Sequence, residues 1–147
     1  MVAGPDPGHA FPAIALCLRF LAAGDTPVLL TGVEWLDTAR TAGLEAVELA
    51  GLDPGEDDDD SDAGAKIHQR AARMAVLNVP VLTDLGCDLV VSDVITACGG
   101  MAAELIGIPW VELSPHPLYL PSKGLPPVGS GLAPGTGVGG RLRDTVM

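Results

Sequence analysis

The 147-residue sequence predicts an α/β fold: an open parallel sheet covered by helices. Two observations point there. Short apolar runs alternate with segments of helical period in the order β-α-β-α-β, joined by short connections, which is the pattern of a parallel sheet with helical crossovers. Glycines stand just beyond the helical segments (Gly24, Gly43 and Gly107), where a left-handed residue ends a helix.

Length alone makes this one domain with room for a core of ordinary quality. The chain is 48% apolar but only 3% aromatic, so Leu, Val, Ala and Ile must build that core. Nineteen Gly and 13 Pro imply many turns. A net charge of −11 argues against nucleic acid or an anionic membrane surface as partner. Much of that charge is local, since Glu56 to Asp60 and Asp62 are all acidic. Three cysteines (Cys17, Cys87 and Cys98) are odd in number and form no CxxC pair. Buried thiols in a reducing cytosol are expected rather than a disulfide framework or a zinc site. The N-terminus has no basic lead and carries early prolines, unlike a signal peptide. No apolar run approaches the ~20 residues of a spanning helix, so a cytoplasmic protein without an integral membrane segment is expected.

In chain order, Met1 to Ala3 reads as the tail of a first, very short buried strand. A Gly/Pro loop then presents His9, and Pro12 opens a helix, because proline's missing N–H costs nothing in the first turn. Ala13, Ile14, Cys17, Leu18 and Leu21 give that helix one apolar face. Pro27 to Thr31 is a second strand. A helix over Glu34 to Ala42 turns Trp35, Leu36 and Ala39 inward. Leu44 to Leu49 holds a third strand.

Gly51 to Gly64 reads as a solvated loop. Asp58, Asp60 and Asp62 match the first positions of a calcium loop, but Ala63 replaces its glycine and Gln69 its bidentate glutamate, so the pattern fails where it is most specific. A helix follows from Ala65 to Leu77, with Ile67, Ala71 and Met74 on one face, and Pro80 is expected to kink or end it. His68 belongs with Lys66, Arg70 and Arg73 on a solvated basic face. Cys87 to Asp93 is the fourth strand, and a helix runs through Met101 to Leu105. Trp110 to Leu113 is the fifth strand. Pro121 to Gly140 is a Pro/Gly-rich loop, long enough to line a site or link to something. Its Gly137-Val-Gly-Gly140 run follows no strand and lacks the phosphate-loop order. Arg141 to Met147 reads as the start of an unfinished helix.

Parallel strands place their carboxyl ends on one rim, where open α/β sheets bind ligands. His9 follows the first strand, Asp93 ends the fourth, and Ser114 and His116 follow the fifth. A histidine oriented by an aspartate is a general-base pair, which needs a hydroxyl to deprotonate. Taken singly, His9 is equally readable as a solvated loop histidine, and Asp93 as a carboxylate favoured by a helix dipole. No GxSxG elbow or metal-ligand spacing is present, so activation of a bound substrate hydroxyl is favoured over covalent catalysis.

Three blocks then carry a resemblance: Gly8-His-Ala-Phe-Pro-Ala13; Asp88-Leu-Val-Val-Ser-Asp93 with Ala102-Ala-Glu-Leu-Ile-Gly-Ile-Pro109; and Val111-Glu-Leu-Ser-Pro115. In this order and spacing they resemble the N-terminal half of a GT-B glycosyltransferase, of the nucleotide-sugar-dependent kind that glycosylates macrolides, glycopeptides, lipids and plant metabolites. The resemblance implies a Rossmann-like sheet with helices on both faces, one half of a GT-B fold. It implies His9 as catalytic base and Asp93 as its partner. It places Gly8, Phe11, Ser114, His116 and Tyr119 at the substrate. It implies an inverting, metal-free transfer, with no cofactor, from a UDP- or dTDP-sugar to a hydroxyl of a small hydrophobic acceptor.

Such enzymes have a second, donor-binding domain, whose usual His/Gly/Ser-rich motif is absent from residues 1–147. The chain therefore reads as an incomplete enzyme, a fragment or a truncated product, with little transfer expected from it alone. Lost proximity can account for ~7–11 kcal/mol of barrier. Three alternatives stand beside this: a half-enzyme that docks onto a separate donor subunit, a non-catalytic α/β module that binds a small molecule, and a generic nucleotide-binding α/β domain. The peptidoglycan-precursor glycosyltransferase has a similar GHxFPA loop, but one richer in glycine before the histidine, where Pro5-Asp6-Pro7 stands in this chain.

Overall fold

The structure, a computed structural model, describes residues 1–55, 63–116, 124–126 and 131–146. The acidic run 56–62 and Tyr119, both singled out in the sequence, lie outside the described residues. The chain divides into two compact units, Met1–Pro115 and His116–Met147.

In the first unit the order is α1 (Pro7–Ala23), β1 (Val28–Thr31), α2 (Val33–Thr41), β2 (Glu45–Glu48), α3 (Ala63–Leu85), β3 (Val90–Asp93), α4 (Cys98–Ile106) and β4 (Trp110–Leu113). β1 pairs in parallel with β2, Leu29 opposite Ala46. β3 pairs in parallel with β4, Val91 opposite Val111 and Asp93 opposite Leu113. Val2 joins the two pairs through parallel bridges to Leu30 and Ser92. The sheet order is thus β2, β1, the segment at Val2, β3, β4, an open parallel α/β sheet.

The expected first strand is reduced to a single ladder position, because Gly4 and Pro5 follow at once and proline has no N–H to give a ladder. It is nonetheless well held. Val2 N donates to Val91 O (2.8 Å), Ala3 N to Leu30 O (3.0 Å), Leu30 N to Met1 O (2.8 Å) and Asp93 N to Val2 O (2.8 Å).

Strand residues alternate between faces, and two apolar clusters result. Ala3 and Leu29 meet Ala13, Ile14, Cys17 and Ala39 under α1 and α2. Val2, Leu30 and Val90 meet Met74, Ala75, Leu82, Cys98 and Ala102 under α3 and α4. Helices therefore cover both faces. Gly99 and Gly100 let α4 lie close. A Cβ on Gly99 would come within 2.8 Å of Val2 Cβ and Ser92 Oγ, and one on Gly100 within 2.8 Å of the Trp110 ring. The three cysteines are free, and burial pushes the Cys98 thiol up to about 11.

Several local expectations are corrected. Pro12 does not open α1. The helix starts five residues earlier, with Asp6 as cap and Pro7 in the first turn, so Pro12 lies inside it. Pro80 neither ends nor interrupts α3, which runs on to Leu85. The carbonyl that proline leaves unbonded belongs to Val76, on an exposed part of the helix, while Met74, Ala75 and Leu82 anchor it to the sheet. Ile67 is exposed rather than inward. β3 begins at Val90, since its ladder neighbour before Trp110 is Pro109, which accepts from Val90 N but cannot donate.

Between α3 and the loop after β2, Asn78 is fully buried. Its Nδ2 donates to Ala50 O (3.0 Å) and Met74 O (2.7 Å), and its Oδ1 accepts from Ala50 N (3.2 Å).

In the second unit, α5 (Val138–Val146) starts three residues before Arg141. Gly139 and Gly140, weak helix formers that read as loop, build its first turn. Asp144 anchors it, accepting from Gly135 N (2.7 Å) and Arg143 Nε (2.7 Å); the Gly135 amide, then Arg143, hold this carboxyl below the usual carboxylate range. No described helix is long and apolar enough to cross a membrane.

Removing the Asn78 side chain leaves the Ala50 amide and carbonyl without their partner in a largely dry site. Asn78→Ala is expected to lower the urea-unfolding free energy by about 1–3 kcal/mol. A loss under 0.5 kcal/mol would show that water replaces the side chain at no cost.

Candidate functional site

The site begins with the cap of α1. Asp6 accepts from Gly8 N (2.8 Å) through its side chain, and its carbonyl takes His9 N (2.9 Å) and Ala10 N (2.8 Å). The indole of Trp35 on α2 donates to Pro5 O (2.7 Å), and the Phe11 ring meets Trp35 edge-on with centroids 4.7 Å apart. The turn carrying His9 is thus clamped from both sides. His9 belongs to the first turn of the helix, not to a loop, and is 5% exposed. The sequence misplaced it because Asp6-Pro7 is as good a helix start as Pro12, and an earlier one.

Asp93 ends β3 and is 1% exposed. His9 Nδ1 and Asp93 Oδ1 stand 2.7 Å apart. As a carboxylate, Asp93 can only accept, so Nδ1 donates, and the unprotonated Nε2 carries the lone pair of a proton acceptor. The other oxygen, Oδ2, accepts from Ile95 N (3.1 Å), Thr96 N (3.3 Å) and Thr96 Oγ1 (3.2 Å). The two oxygens of Asp93 therefore have different partners. One oxygen ties the turn that leads into α4, and the other orients a histidine 84 positions away.

The remaining expected residues fare differently. Gly8 donates to the Asp6 cap, and Phe11 is 56% exposed beside Trp35. Ser114 is half-buried at the same rim, one residue beyond Leu113, whose carbonyl accepts from Val94 N (2.9 Å). His116 is exposed and falls in the second unit.

A cavity of about 710 Å³ opens beside Asp93. Val76 of α3, Met101, Glu104 and Leu105 of α4, and Trp110 and Glu112 of β4 line it. Trp110 Nε1 donates to Glu104 Oε1 (3.1 Å). These residues form no motif in the sequence. Alternation on β4 does set Trp110 and Glu112 on one face, but which face depends on the register with Val90 and Ser92. Its walls are mainly apolar, with Glu104 and Glu112 as charged groups, which suits a small, largely apolar molecule; His9 is not among its lining residues, and the Asp93 side chain is fully buried.

No protein-family model matches the chain. It is 31% identical over 124 residues to the L-demethylnoviosyl transferase of Streptomyces niveus, a match that covers 75% of this chain and 32% of that protein. It superposes on the glycotransferase of kitacinnamycin with a TM-score of 0.64 at 23% identity, over 78% of this chain and 29% of that one. With the glycosyltransferase SsfS6 of Streptomyces sp. SF2575, complexed with thymidine diphosphate, the TM-score is 0.59 at 21% identity, over 77% and 37%. The chain spans about a third of the length of these relatives, and its architecture is one half of a GT-B fold.

The geometry fixes the tautomer of neutral His9. Nitrogen-15 spectra of the imidazole are expected to show the proton on Nδ1. In Asp93→Asn the amide can donate to Nδ1 instead, and the proton is expected to shift toward Nε2. A wild-type ring protonated on Nε2 alone would refute the assignment.

Proposed function

We propose that this half of a GT-B fold is the acceptor-binding half of an inverting, nucleotide-sugar-dependent glycosyltransferase, with His9 as general base. The buried His9–Asp93 pair, 2.7 Å apart at the carboxyl rim of a parallel sheet, is the observation that carries the reading.

In this scheme the acceptor hydroxyl approaches Nε2 of His9. Nε2 takes the proton as the hydroxyl oxygen bonds to the anomeric carbon of the sugar. The bond to the nucleoside diphosphate breaks on the opposite face, its electron pair leaves with the diphosphate, and configuration inverts. Asp93 keeps the ring oriented and stabilises the imidazolium that forms. Burial of both side chains keeps water from competing for the proton. Gly8 and Phe11 flank the base, and Ser114 offers a hydroxyl at the same rim; His116 and Tyr119 are proposed for the acceptor on sequence resemblance alone.

The donor, a dTDP- or UDP-sugar, is assigned to a domain outside this chain, in the same polypeptide or on a separate subunit. One relative was crystallised with thymidine diphosphate, which favours the dTDP form. Without that domain the chain is expected to transfer little sugar, since reactant proximity alone is worth about 7–11 kcal/mol.

Two outcomes are expected. Thymidine diphosphate titrated into the 147-residue chain gives no saturable heat up to millimolar concentration; micromolar binding would make this the donor half. In an active enzyme containing this segment, His9→Ala lowers kcat about 10²–10⁴-fold, the range for a positioned general base. Unchanged turnover would remove His9 from the chemistry.

A further inference from the structure

The two oxygens of Asp93 have separate tasks, and the turn 93–96 enforces the separation. A carboxylate rotates about a broad, roughly two-fold torsion, so its hydrogen bonds and not its rotamer preference decide where each oxygen points. Oδ2 has two amide donors, at 3.1 Å from Ile95 and 3.3 Å from Thr96, both at the long end for N–H to oxygen. The third donor is the Thr96 hydroxyl at 3.2 Å, the one side-chain donor that the described contacts give to this oxygen.

Thr96 is itself firmly held. Its amide also meets Asp93 O (2.9 Å), and its carbonyl accepts from Ser92 Oγ (3.0 Å). Its hydroxyl oxygen lies 3.0 Å from where a Cβ on Gly4 would stand, so the bare backbone of the N-terminal segment closes over it. The residue is buried, which keeps water from taking the hydroxyl's place.

We infer that Thr96 is a positioning residue of the His9–Asp93 pair: its hydroxyl holds Asp93 Oδ2 in the turn, so that Oδ1 faces His9 Nδ1, and Gly4 leaves the space in which that hydroxyl stands. A threonine that merely filled space here would leave the carboxylate orientation to the two amides. The consequence for turnover rests on the reading of His9 as base. The consequence for the hydrogen bond does not.

The test uses the chain as it is. The His9 Nδ1 proton is followed by NMR in wild type, Thr96→Val and Thr96→Ser. In Thr96→Val the resonance is expected to move upfield and its exchange with water to quicken about tenfold, the effect of losing one ordinary hydrogen bond. Thr96→Ser, which keeps the hydroxyl, is expected to restore both. In an active enzyme containing the segment, Thr96→Val is expected to lower kcat about tenfold at unchanged KM, with Ser again restoring it.

An unchanged Nδ1 signal in folded Thr96→Val overturns the inference whatever the activity. A shifted signal with unchanged kcat keeps the positioning role and overturns His9 as base. If the valine variant does not fold, the smaller Thr96→Ala decides on the same signal.

Discussion

The structure depends on three residues that stand at the centre of the sheet, between β1 and β3. Met1, Val2 and Ala3 give and take backbone hydrogen bonds with β1 and with β3, and without them the sheet is two separate two-stranded ribbons. Each such bond is worth only about 1 kcal/mol net. The insertion also buries Val2 and Ala3 completely and closes both apolar clusters, since Val2 faces α3 and α4 while Ala3 faces α1 and α2. Position follows from this. Asp93 N is bonded to Val2 O, so the carboxyl end of β3 is fixed beside the chain that reaches His9 a few residues later. The contact between His9 and Asp93 is thus a product of sheet order, not of a chance approach of loops.

The chemistry is local in sequence on one side and remote on the other. His9 is aimed by its own turn, through the Asp6 cap and the Trp35 indole. Asp93 is aimed by the turn that starts α4. Each group is pinned by short-range contacts, and the sheet then brings the two pinned groups together. This division explains how a buried, charge-bearing hydrogen bond is tolerated: its carboxylate has a partner for each oxygen, leaving no orphaned charge.

What was legible in the sequence follows the same line. Helix ends marked by glycine were readable because a left-handed residue is a local requirement, met at Gly24 with φ 98° and at Gly107 with φ 73°. The pairing of His9 with Asp93 was readable because parallel strands put their carboxyl ends on one rim, whatever the details. Proline misled twice. At Pro12 an earlier cap outcompeted it, and at Pro80 packing of Leu82 and Met74 on the sheet outweighed one missing backbone bond. Spacing turns Ile67 inward, but it lies about two turns before Met74, the first residue of α3 in the core. Thr96 and the cavity lining were not legible, since they depend on the tilt of α4 and on the register of β4 against β3.

The close approach of α4 carries one more consequence, for anyone who would reshape the cavity. The Trp110 ring occupies the space that a Cβ on Gly100 would need, so these two positions share one volume. Enlarging residue 100 alone forces the indole aside. Shrinking residue 110 alone leaves a void under α4. Substitutions at the two sites are therefore non-additive, and the width of the cavity is a joint property of the pair. Variants that tune it must be made as doubles, with each gain on the helix matched by a loss on the strand.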